Sequence, residues 1–497
     1  MRYSLLIKEN LLQSNFKEDF EVRGLSCDSR KVSNDFIFFA IEGYKDDGNR
    51  YIQDAILKGA RVIVSTKNIS KDIKEKYPHI DFITVPDVRK SMALISNYFY
   101  SFPSESLHLI GITGTNGKTT ISYLIKTILE ESGKKCGLIG TVNYFTGKEE
   151  KEAFLTTPDA VDINKMLKEC VNYGLQYCVM EVSSIALILD RVYGQKFSGA
   201  IFTNLTSEHL DLHQNMQNYF MAKKVLFDMI DEKGTVISNK DDSYGIDIVR
   251  DTKAKNIKFY SINFDSDYKA TNIRFSIEGL SFDLNINGKK EFFESDLSGK
   301  FNIYNILAAI AYCNEIGIDL YTIKRAIKKF KPVKGRFNKI KLPNGAFAII
   351  DYSHTSDSLK NAIESANVII KTQPENSRGR VITIFGCGGN KDRTKRPVMG
   401  KYAVELSDYV IITSDNPRFE DPMAIIEEIK AGIENKNNYE IEPDREIAIK
   451  KGLEMSQPND LILICGKGHE TYQEIKGVRY PFDDAEIVEK YKTVTLK

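Results

Sequence analysis

What the 497-residue sequence lacks narrows its class first. No apolar run approaches the roughly 18–20 residues that a membrane-spanning helix needs. The opening stretch, MRYSLLIKENLLQSNFKEDF, meets Lys, Glu and Asn too early for a signal peptide. An excess of one charge is missing too: 69 basic against 68 acidic side chains leave +1. That argues against a nucleic-acid coat or an anionic membrane surface as partner. The seven cysteines, Cys27, Cys136, Cys170, Cys178, Cys313, Cys387 and Cys465, are odd in number and never spaced as CxxC, so isolated core thiols are expected rather than disulfides or a zinc site. With 13 prolines, 32 glycines, 42% hydrophobic and 28% charged residues, a collagen-like, low-complexity or disordered chain is excluded. A cytoplasmic, multi-domain protein is left, and its length predicts about three domains.

Texture suggests where the domains divide: 1–103, 104–332 and 333–497. The first reads as a small α/β unit, with strand-like FIFFAI (Phe36 to Ile41), RVIVST and DFITVP. SFPSES (Ser101 to Ser106) reads as a linker. From Leu107 to about Phe330, apolar runs alternate with helical patterns, the signature of a parallel sheet flanked by helices. The third unit repeats that alternation. Its four strand-like runs, AFAIID, RVITIF, DYVIIT and DLILIC, each end in a polar segment: DYSHTSD, GCGGNKDR, SDNPR and GKGHE. Ligands of open parallel sheets bind outside the carboxyl ends of the strands. The four segments are therefore expected to converge on one sheet edge.

The sharpest single signal is LIGITGTNGKTTISYLIKTILEE. An apolar strand runs into a glycine turn, and a helix follows with Ile121, Leu124, Ile125, Ile128 and Leu129 on one face. Such a turn aims backbone N–H groups and a helix N-terminus at one spot, an anion site. Lys118 adds a mobile positive charge for outer phosphates, and Thr119 or Thr120 a hydroxyl for Mg²⁺. The spacing is not that of a Walker A motif, which wants glycine where Ile112 stands; here the glycines are Gly111, Gly114 and Gly117. Two metal candidates follow: Glu181 at the end of the strand in YCVMEVSS, and Glu208, His209, Asp211 and His213 in SEHLDLH. Alone, each carboxylate reads as a solvated loop residue. Beside a phosphate loop, one carboxylate plus phosphate oxygens suffices for Mg²⁺.

Read in order, GTNGKTT, EVSS, HLD, GRF, DYSHT, GCGG, DNPR and GKGHE resemble the motifs of the Mur ligases, and the likeness covers nearly the whole chain, including SCDSRKV…FFAIEGYKDDG near the N-terminus. The resemblance implies three α/β domains: a UDP-sugar-binding unit, a central P-loop ATPase and a Rossmann-like C-terminal domain. Most similar are the members that use ATP and Mg²⁺ to add meso-diaminopimelate to UDP-MurNAc-L-Ala-D-Glu through an acyl phosphate, for peptidoglycan precursors. It further implies that Gly114, Thr115, Asn116, Gly117, Lys118, Thr119, Thr120, Asn302 and Arg336 hold ATP. Thr119, Glu181, His209 and a carbamylated Lys223 are implied as metal ligands, and Lys118, Lys223, His209, Asp351 and His354 as the catalytic set. Ser29, Thr156, Thr157, Ser183 and Arg191 line the path of the UDP-sugar peptide. Lys391, Asp415, Asn416, Pro417, Arg418, Gly466 and Glu470 receive the amino acid. Arg418 is implied to clamp its distal carboxylate, with Glu470 and the backbone at Gly466 meeting its ammonium. Small molecules are the expected partners, the chain a monomer, and domain closure over the substrates is anticipated.

The chain departs from that pattern at several positions. Ile185 stands for histidine, Glu208 for aspartate, Asn390 and Lys391 replace Asp-Arg, Ser356 replaces proline and Asn49 replaces a histidine of the UDP pocket. Lys391 keeps charge but not fork geometry. Two alternatives remain open at this point: a ligase adding lysine or lanthionine, and a non-catalytic ATP-binding paralogue. A folylpolyglutamate synthetase is disfavoured by the UDP-type N-terminal segment and DNPR. No general base is assigned.

Overall fold

The computed structural model describes residues 1–14, 18–43, 46–208, 210–286 and 288–496, without the side chains of Asp211, Val494 and Leu496. Two compact units divide the chain: Met1–Gly111 with Lys134–Ala200 and Val225–Gly234, and Ile112–Gly133 with Ile201–Lys224 and Thr235–Lys497.

The first unit opens with a four-stranded parallel sheet of Gly24–Ser26, Phe36–Ala40, Ala60–Ser65 and Asp81–Thr84, in that order. Ile37, Phe39, Val62 and Val64 pack on one face with Met92 and Ile95 of the helix Val88–Phe99, whereas Phe38, Ala40 and Ile63 pack on the other with Ile52, Ala55 and Ile56. Burial on both faces is why these strands read as unbroken apolar runs. A second sheet places Tyr177–Glu181 between His108–Thr113 and Cys136–Ile139, with Asn143–Phe145 and Glu150–Glu152 added antiparallel. SFPSES is not a loose linker. Pro103 and Ser104 are buried in a short 3₁₀ turn, and Ser104 Oγ accepts the Lys196 N–H at 3.1 Å.

In the second unit, Gly199–Phe202, Thr235–Asn239 and Asn256–Ser261 continue into Tyr268–Phe275, Leu280–Ile286 and Lys289–Ser295. The last three form an antiparallel meander, which the expected strand–helix alternation did not include. Strict period-two burial along Leu280–Ile286 explains it: one face is buried and the other is half-exposed. The helices Lys118–Glu131 and Lys300–Glu315 belong to this unit. Ile121, Leu124, Ile125, Ile128 and Leu129 are all buried, as their spacing predicts.

Five parallel strands and one antiparallel edge strand make the C-terminal sheet. Its order is Asn338–Lys341, Phe347–Asp351, Leu461–Cys465, Val381–Phe385, Tyr409–Ile412, Tyr439–Ile441. Asp351 is in register with Cys465, Ile384 with Ile464, and Phe385 with Ile412. The four polar segments therefore leave the sheet along one edge, as expected. All seven cysteines are free thiols, six of them buried; Cys27 is half-buried, and its desolvation, with Asp159 nearby, raises its pKa to about 12.

Candidate active site

The strand His108–Thr113 ends in the glycine turn, and in the second unit the helix starts at Lys118. Gly114 has φ +147 and Gly117 φ +91, and a Cβ on Gly114 would collide with Thr203 Oγ1. The turn thus requires glycine both for its backbone and for room. Its shape is held by neighbours that sequence did not single out. Thr203 Oγ1 donates to the Asn116 carbonyl (2.6 Å), Asn204 Oδ1 accepts the Asn116 N–H (2.9 Å), and Thr115 Oγ1 pairs with Tyr219 Oη (3.2 Å). Lys118 Nζ curls back over the turn to the carbonyls of Gly114 (2.8 Å) and Thr115 (2.7 Å).

Lys223 also donates to the Gly114 carbonyl, at 2.9 Å, and is 1% exposed. Burial, reinforced by the Lys118 charge and opposed by Glu208, pushes its amine well below the ordinary lysine range. Asn302 donates to the Ser298 carbonyl at 2.7 Å and accepts from Asn305 at 2.9 Å. A Cβ on Gly117 would lie 2.5 Å from Asn305 Oδ1, so this asparagine pair rests against the phosphate turn. His213 is buried and packs on Tyr219, with ring centres 4.7 Å apart. His209 lies outside the described residues, as does the side chain of Asp211.

The DYSHT loop meets the phosphate turn. Asn116 Nδ2 reaches Asp357 Oδ2 at 3.2 Å, and Arg336 Nη2 reaches Thr119 Oγ1 at 3.2 Å. The Arg336 guanidinium lies 4.5 Å from the Tyr352 ring, and His469 of GKGHE packs on that ring at 4.9 Å. This chain of contacts joins the phosphate turn to the C-terminal loops. Asp351 is buried, with its oxygens taken by the N–H groups of Phe337 (2.7 Å) and Ser353 (2.9 Å); burial raises its pKa. Such a carboxylate fixes loop shape. His354 Nδ1 lies 2.8 Å from the Tyr352 carbonyl and its Nε2 3.4 Å from Glu208, so the longer Glu208 side chain meets the DYSHT loop. Ser356 opens the helix Ser356–Thr372, with Thr355 as its N-cap. Proline also suits that first helical position, so this departure leaves the helix start intact.

Three loops meet at the edge of the C-terminal sheet. Gly389 N–H donates to the Asn416 carbonyl (2.9 Å), and Arg418 Nη1 donates to the Gly389 carbonyl (2.7 Å). A Cβ on Gly388 would come 2.9 Å from Arg418 Nη1 and 3.8 Å from Lys391 Cγ, so glycine makes room for both cations. Asn390 (φ +53) accepts the Phe419 N–H at 3.1 Å; asparagine tolerates that left-handed backbone. Asp415 Oδ1 accepts the Asn416 N–H at 2.5 Å, and Pro417 follows in the same turn. Asn416 Nδ2 donates to Glu470 Oε2 at 2.7 Å. Gly466 N–H donates to the Asp351 carbonyl (3.1 Å), tying GKGHE to DYSHT. Lys467, wholly buried and missed by the motif reading, sits 3.2 Å from both Asn416 Oδ1 and Glu470 Oε2. Behind the loops, the buried Arg445, paired with Asp484, donates to the carbonyls of Ser414 (3.4 Å) and Cys465 (3.0 Å), bracing the starts of DNPR and GKGHE.

In the first unit, Glu181 is fully buried at its strand end and takes the Thr141 N–H (2.9 Å) and hydroxyl (2.8 Å). Thr141 Oγ1 pairs with Thr156 Oγ1 at 3.2 Å, and Thr157 Oγ1 donates to the Glu181 carbonyl at 2.8 Å. Ser183 N–H donates to Thr157 Oγ1 (3.0 Å), while Arg191 reaches the Thr157 carbonyl (2.8 Å) and Asp159 (3.2 Å). Four expected substrate residues and Glu181 thus form one cluster. Ser29 instead donates to Asp54 (2.8 Å), and Asn49 bridges Asp47 and Ser65 at 2.6 Å each. Ile185, in the histidine's place, is half-buried on the short helix Ser184–Ile188.

Among the described residues, no three His, Cys, Asp or Glu side chains gather into a protein-only metal cage. The threonine hydroxyls at Lys118's helix and the scattered single carboxylates fit a hard cation that brings phosphate oxygens and waters of its own. The turn's N–H groups and Lys118 fit a polyphosphate.

Known proteins resemble this chain along nearly its whole length. Family profiles match over residues 21–100 (Mur ligase family, catalytic domain), 112–313 (Mur ligase middle domain) and 335–468 (Mur ligase, glutamate ligase domain). A UDP-N-acetylmuramoyl-L-alanyl-D-glutamate–2,6-diaminopimelate ligase of Clostridium tetani is 42% identical over 488 residues, 97% of either chain. That of Aquifex aeolicus is 42% identical over 94% of this chain and 93% of its own. A solved structure of an enzyme so described is 30% identical, with a TM-score of 0.66 over 98% of this chain and all of its own. A MurF ligase of Thermotoga maritima in complex with ADP shares the fold at 14% identity, with a TM-score of 0.61 over 96% and 98%.

Proposed function

Because the chain belongs to the Mur ligase family of ATP-dependent, ADP-forming ligases, we propose that it joins meso-diaminopimelate to UDP-MurNAc-L-Ala-D-Glu in peptidoglycan precursor synthesis. The observation that carries this choice of amino acid is the cluster of Arg418, Asn416 and Glu470 where the DNPR and GKGHE loops meet. An α-amino-acid head offers a carboxylate to Arg418 and an ammonium to Glu470. Lysine lacks the carboxylate and would leave the guanidinium without its partner, at about 1–3 kcal/mol.

In this reading the D-Glu carboxylate takes the γ-phosphoryl group of ATP, ADP leaves, the amine attacks the acyl phosphate, and inorganic phosphate departs with loss of a proton from nitrogen. The chain's contribution is positioning and charge. Loop amides and Lys118 hold the phosphates, Arg336 and Thr119 fix the loop's flank, and Asn302 supports it through Asn305. Thr119, Glu181, His209 and Lys223 are the residues that would hold Mg²⁺, which when bound would supply positive charge against the phosphates. An ammonium cannot ligate a cation; burial favours the neutral Lys223 amine, the form that adds CO₂ to become an anionic carbamate. Thr156, Thr157, Ser183, Arg191 and Ser29 take the UDP-sugar peptide. Asp351 and His354 act by shaping the loop beside the phosphates.

The three domains, with boundaries at 103/104 and 332/333, belong to this reading, supported by the three separate family matches. So do monomeric state and cytoplasmic location; among the described residues no helix is long and apolar enough to cross a membrane. The test is phosphate release with UDP-MurNAc-dipeptide, ATP and diaminopimelate, each omitted singly, followed by competition among diaminopimelate, lanthionine and lysine with the product weighed. Phosphate release that ignores the acceptor, or none at all, favours a non-catalytic nucleotide-binding protein. A dominant lysine product refutes the choice of amino acid.

A further inference from the structure

The edge strand Asn338–Lys341 of the C-terminal sheet carries a lysine where its pattern calls for an apolar residue. Lys339 pairs with Ile349, so the two side chains share a face, and Ile349 is fully buried there with Leu359 and Ile363 of the helix Ser356–Thr372. Desolvating an ammonium on such a face is costly unless it is hydrogen-bonded. Here it is. Lys339 Nζ donates to the carbonyls of Ile277 (2.7 Å), Asp296 (2.9 Å) and Glu278 (3.0 Å) and reaches Ser298 Oγ at 3.1 Å. An ammonium has three N–H groups, so four oxygens saturate it. Burial lowers the pKa of this amine, and the charges of Glu278 and Asp296 oppose that.

The four oxygens come from the turn between Tyr268–Phe275 and Leu280–Ile286, and from the segment that leads out of Lys289–Ser295 into the helix Lys300–Glu315. Lys339 therefore pins the start of the last sheet to the start of that helix. Beside it, Phe301 and Phe337 meet edge to face, with ring centres 5.5 Å apart. The Lys331–Asp296 pair on the same segment, at 2.9 Å, is exposed and contributes little. The pin bears on the nucleotide from two directions. Ser298 offers its carbonyl to Asn302 Nδ2 at 2.7 Å, and Asn302 orients Asn305 against Gly117 of the phosphate turn. Arg336, just ahead of the strand, reaches Thr119 Oγ1 in the first turn of the following helix.

We propose that Lys339 is a positioning residue for ATP: by pinning Ser298 to the strand that follows Arg336, it holds Asn302 and Arg336 at the separation the nucleotide requires. It acts through Asn302 rather than on the substrate. This rests on the proposed ATP-dependent reaction and deepens it, whichever amino acid is added.

The test is an equilibrium titration of the full-length protein with ADP and Mg²⁺, with KM measured alongside for ATP, UDP-MurNAc-dipeptide and diaminopimelate. Lys339→Met is expected to weaken ADP binding and raise KM for ATP about tenfold, the order of one charge-assisted hydrogen bond. The other two KM values are expected to stay within about twofold. Lys339→Gln, which keeps an amide donor, is expected to lose less, and it carries the test should the methionine variant not fold. In an Asn302→Ala background the further loss on replacing Lys339 is expected to shrink below about twofold, because both residues act on one contact. A lowered Tm with ADP affinity unchanged, or losses that multiply in the double variant, overturns the assignment and leaves the reaction standing. A wild-type protein that binds ADP yet releases no phosphate overturns the reaction alone, since the titration still reads the pin. One that binds no ADP overturns both.

Discussion

Replacing Arg418 by lysine tests the acceptor site most directly. Arg418 uses one guanidinium nitrogen on the Gly389 carbonyl at 2.7 Å and keeps the rest of the fork toward Glu474 and the space beyond. A lysine ammonium is a single point and cannot serve both the loop and a ligand carboxylate bidentately. Charge-assisted hydrogen bonds contribute about 1.5–3 kcal/mol. The side chain is 22% exposed, so solvent screening favours the lower half of that range. At about 1.4 kcal/mol per tenfold, kcat/KM for diaminopimelate should fall roughly 10- to 30-fold. The left-handed backbone at φ +53 strains lysine as it strains arginine, so folding should be unaffected. KM for ATP should hold, because the phosphate turn shares no hydrogen bond with this side chain. The assay is phosphate release against diaminopimelate and L-lysine separately, repeated with Arg418→Ala, for which the loss is larger. An unchanged diaminopimelate-to-lysine ratio in both variants would refute the reasoning.

Three further outcomes are expected. Lys223→Met should abolish ligation yet keep or raise Tm: the folded state disfavours the ammonium, so below the unfolded pKa near 10.5 the lysine costs stability, and the Gly114 carbonyl keeps Lys118 as donor; a clear drop in Tm contradicts this. His469 has its pKa lowered to about 3 by burial and then by Arg336, Lys334 and other cations. It therefore stays neutral in the fold, and stability should decline as pH falls from about 6.5 toward 3, by at most about 1.4 kcal/mol per unit; His469→Asn should flatten the acid limb of urea-unfolding measurements, and an unaltered slope counts against the account. Ser356→Pro should stabilise by about 0.4–1 kcal/mol without touching kcat, because the first helical position already suits proline; loss of stability would mean that the Ser356 N–H has a partner.

What the sequence made legible is what local pattern controls. The buried strands of the last sheet are continuous apolar runs, so their ends, and hence the loops at Asp351, Gly386, Asp415 and Gly466, could be located to a residue or two. The phosphate turn announced itself through Gly114, Gly117 and Lys118. Residues supplied from elsewhere in the chain did not: Thr203, Asn305 and Tyr219 reach that turn only through tertiary packing. The hairpin of Tyr472–Ile475 and Val478–Pro481 has a readable turn in Lys476–Gly477, both at positive φ, but its pairing with DNPR, as at Arg418 and Ile475, is tertiary and leaves no local signal. The antiparallel meander at 268–295 was missed because its period-two pattern was subsumed into a longer alternation of strands and helices. Pro103 amid serines suggested a linker, whereas its burial depends on neighbours far along the chain.

The order of strands in the last sheet also bears on how the enzyme comes into being. Leu461–Cys465 sits between Phe347–Asp351 and Val381–Phe385, although it is the last of that sheet to be translated. A nascent chain that has emerged only as far as Ser456 holds a finished phosphate turn but a sheet split down its middle, with GKGHE still inside the ribosome. Amide synthesis must therefore wait until Leu461–Cys465 has emerged and closed that gap.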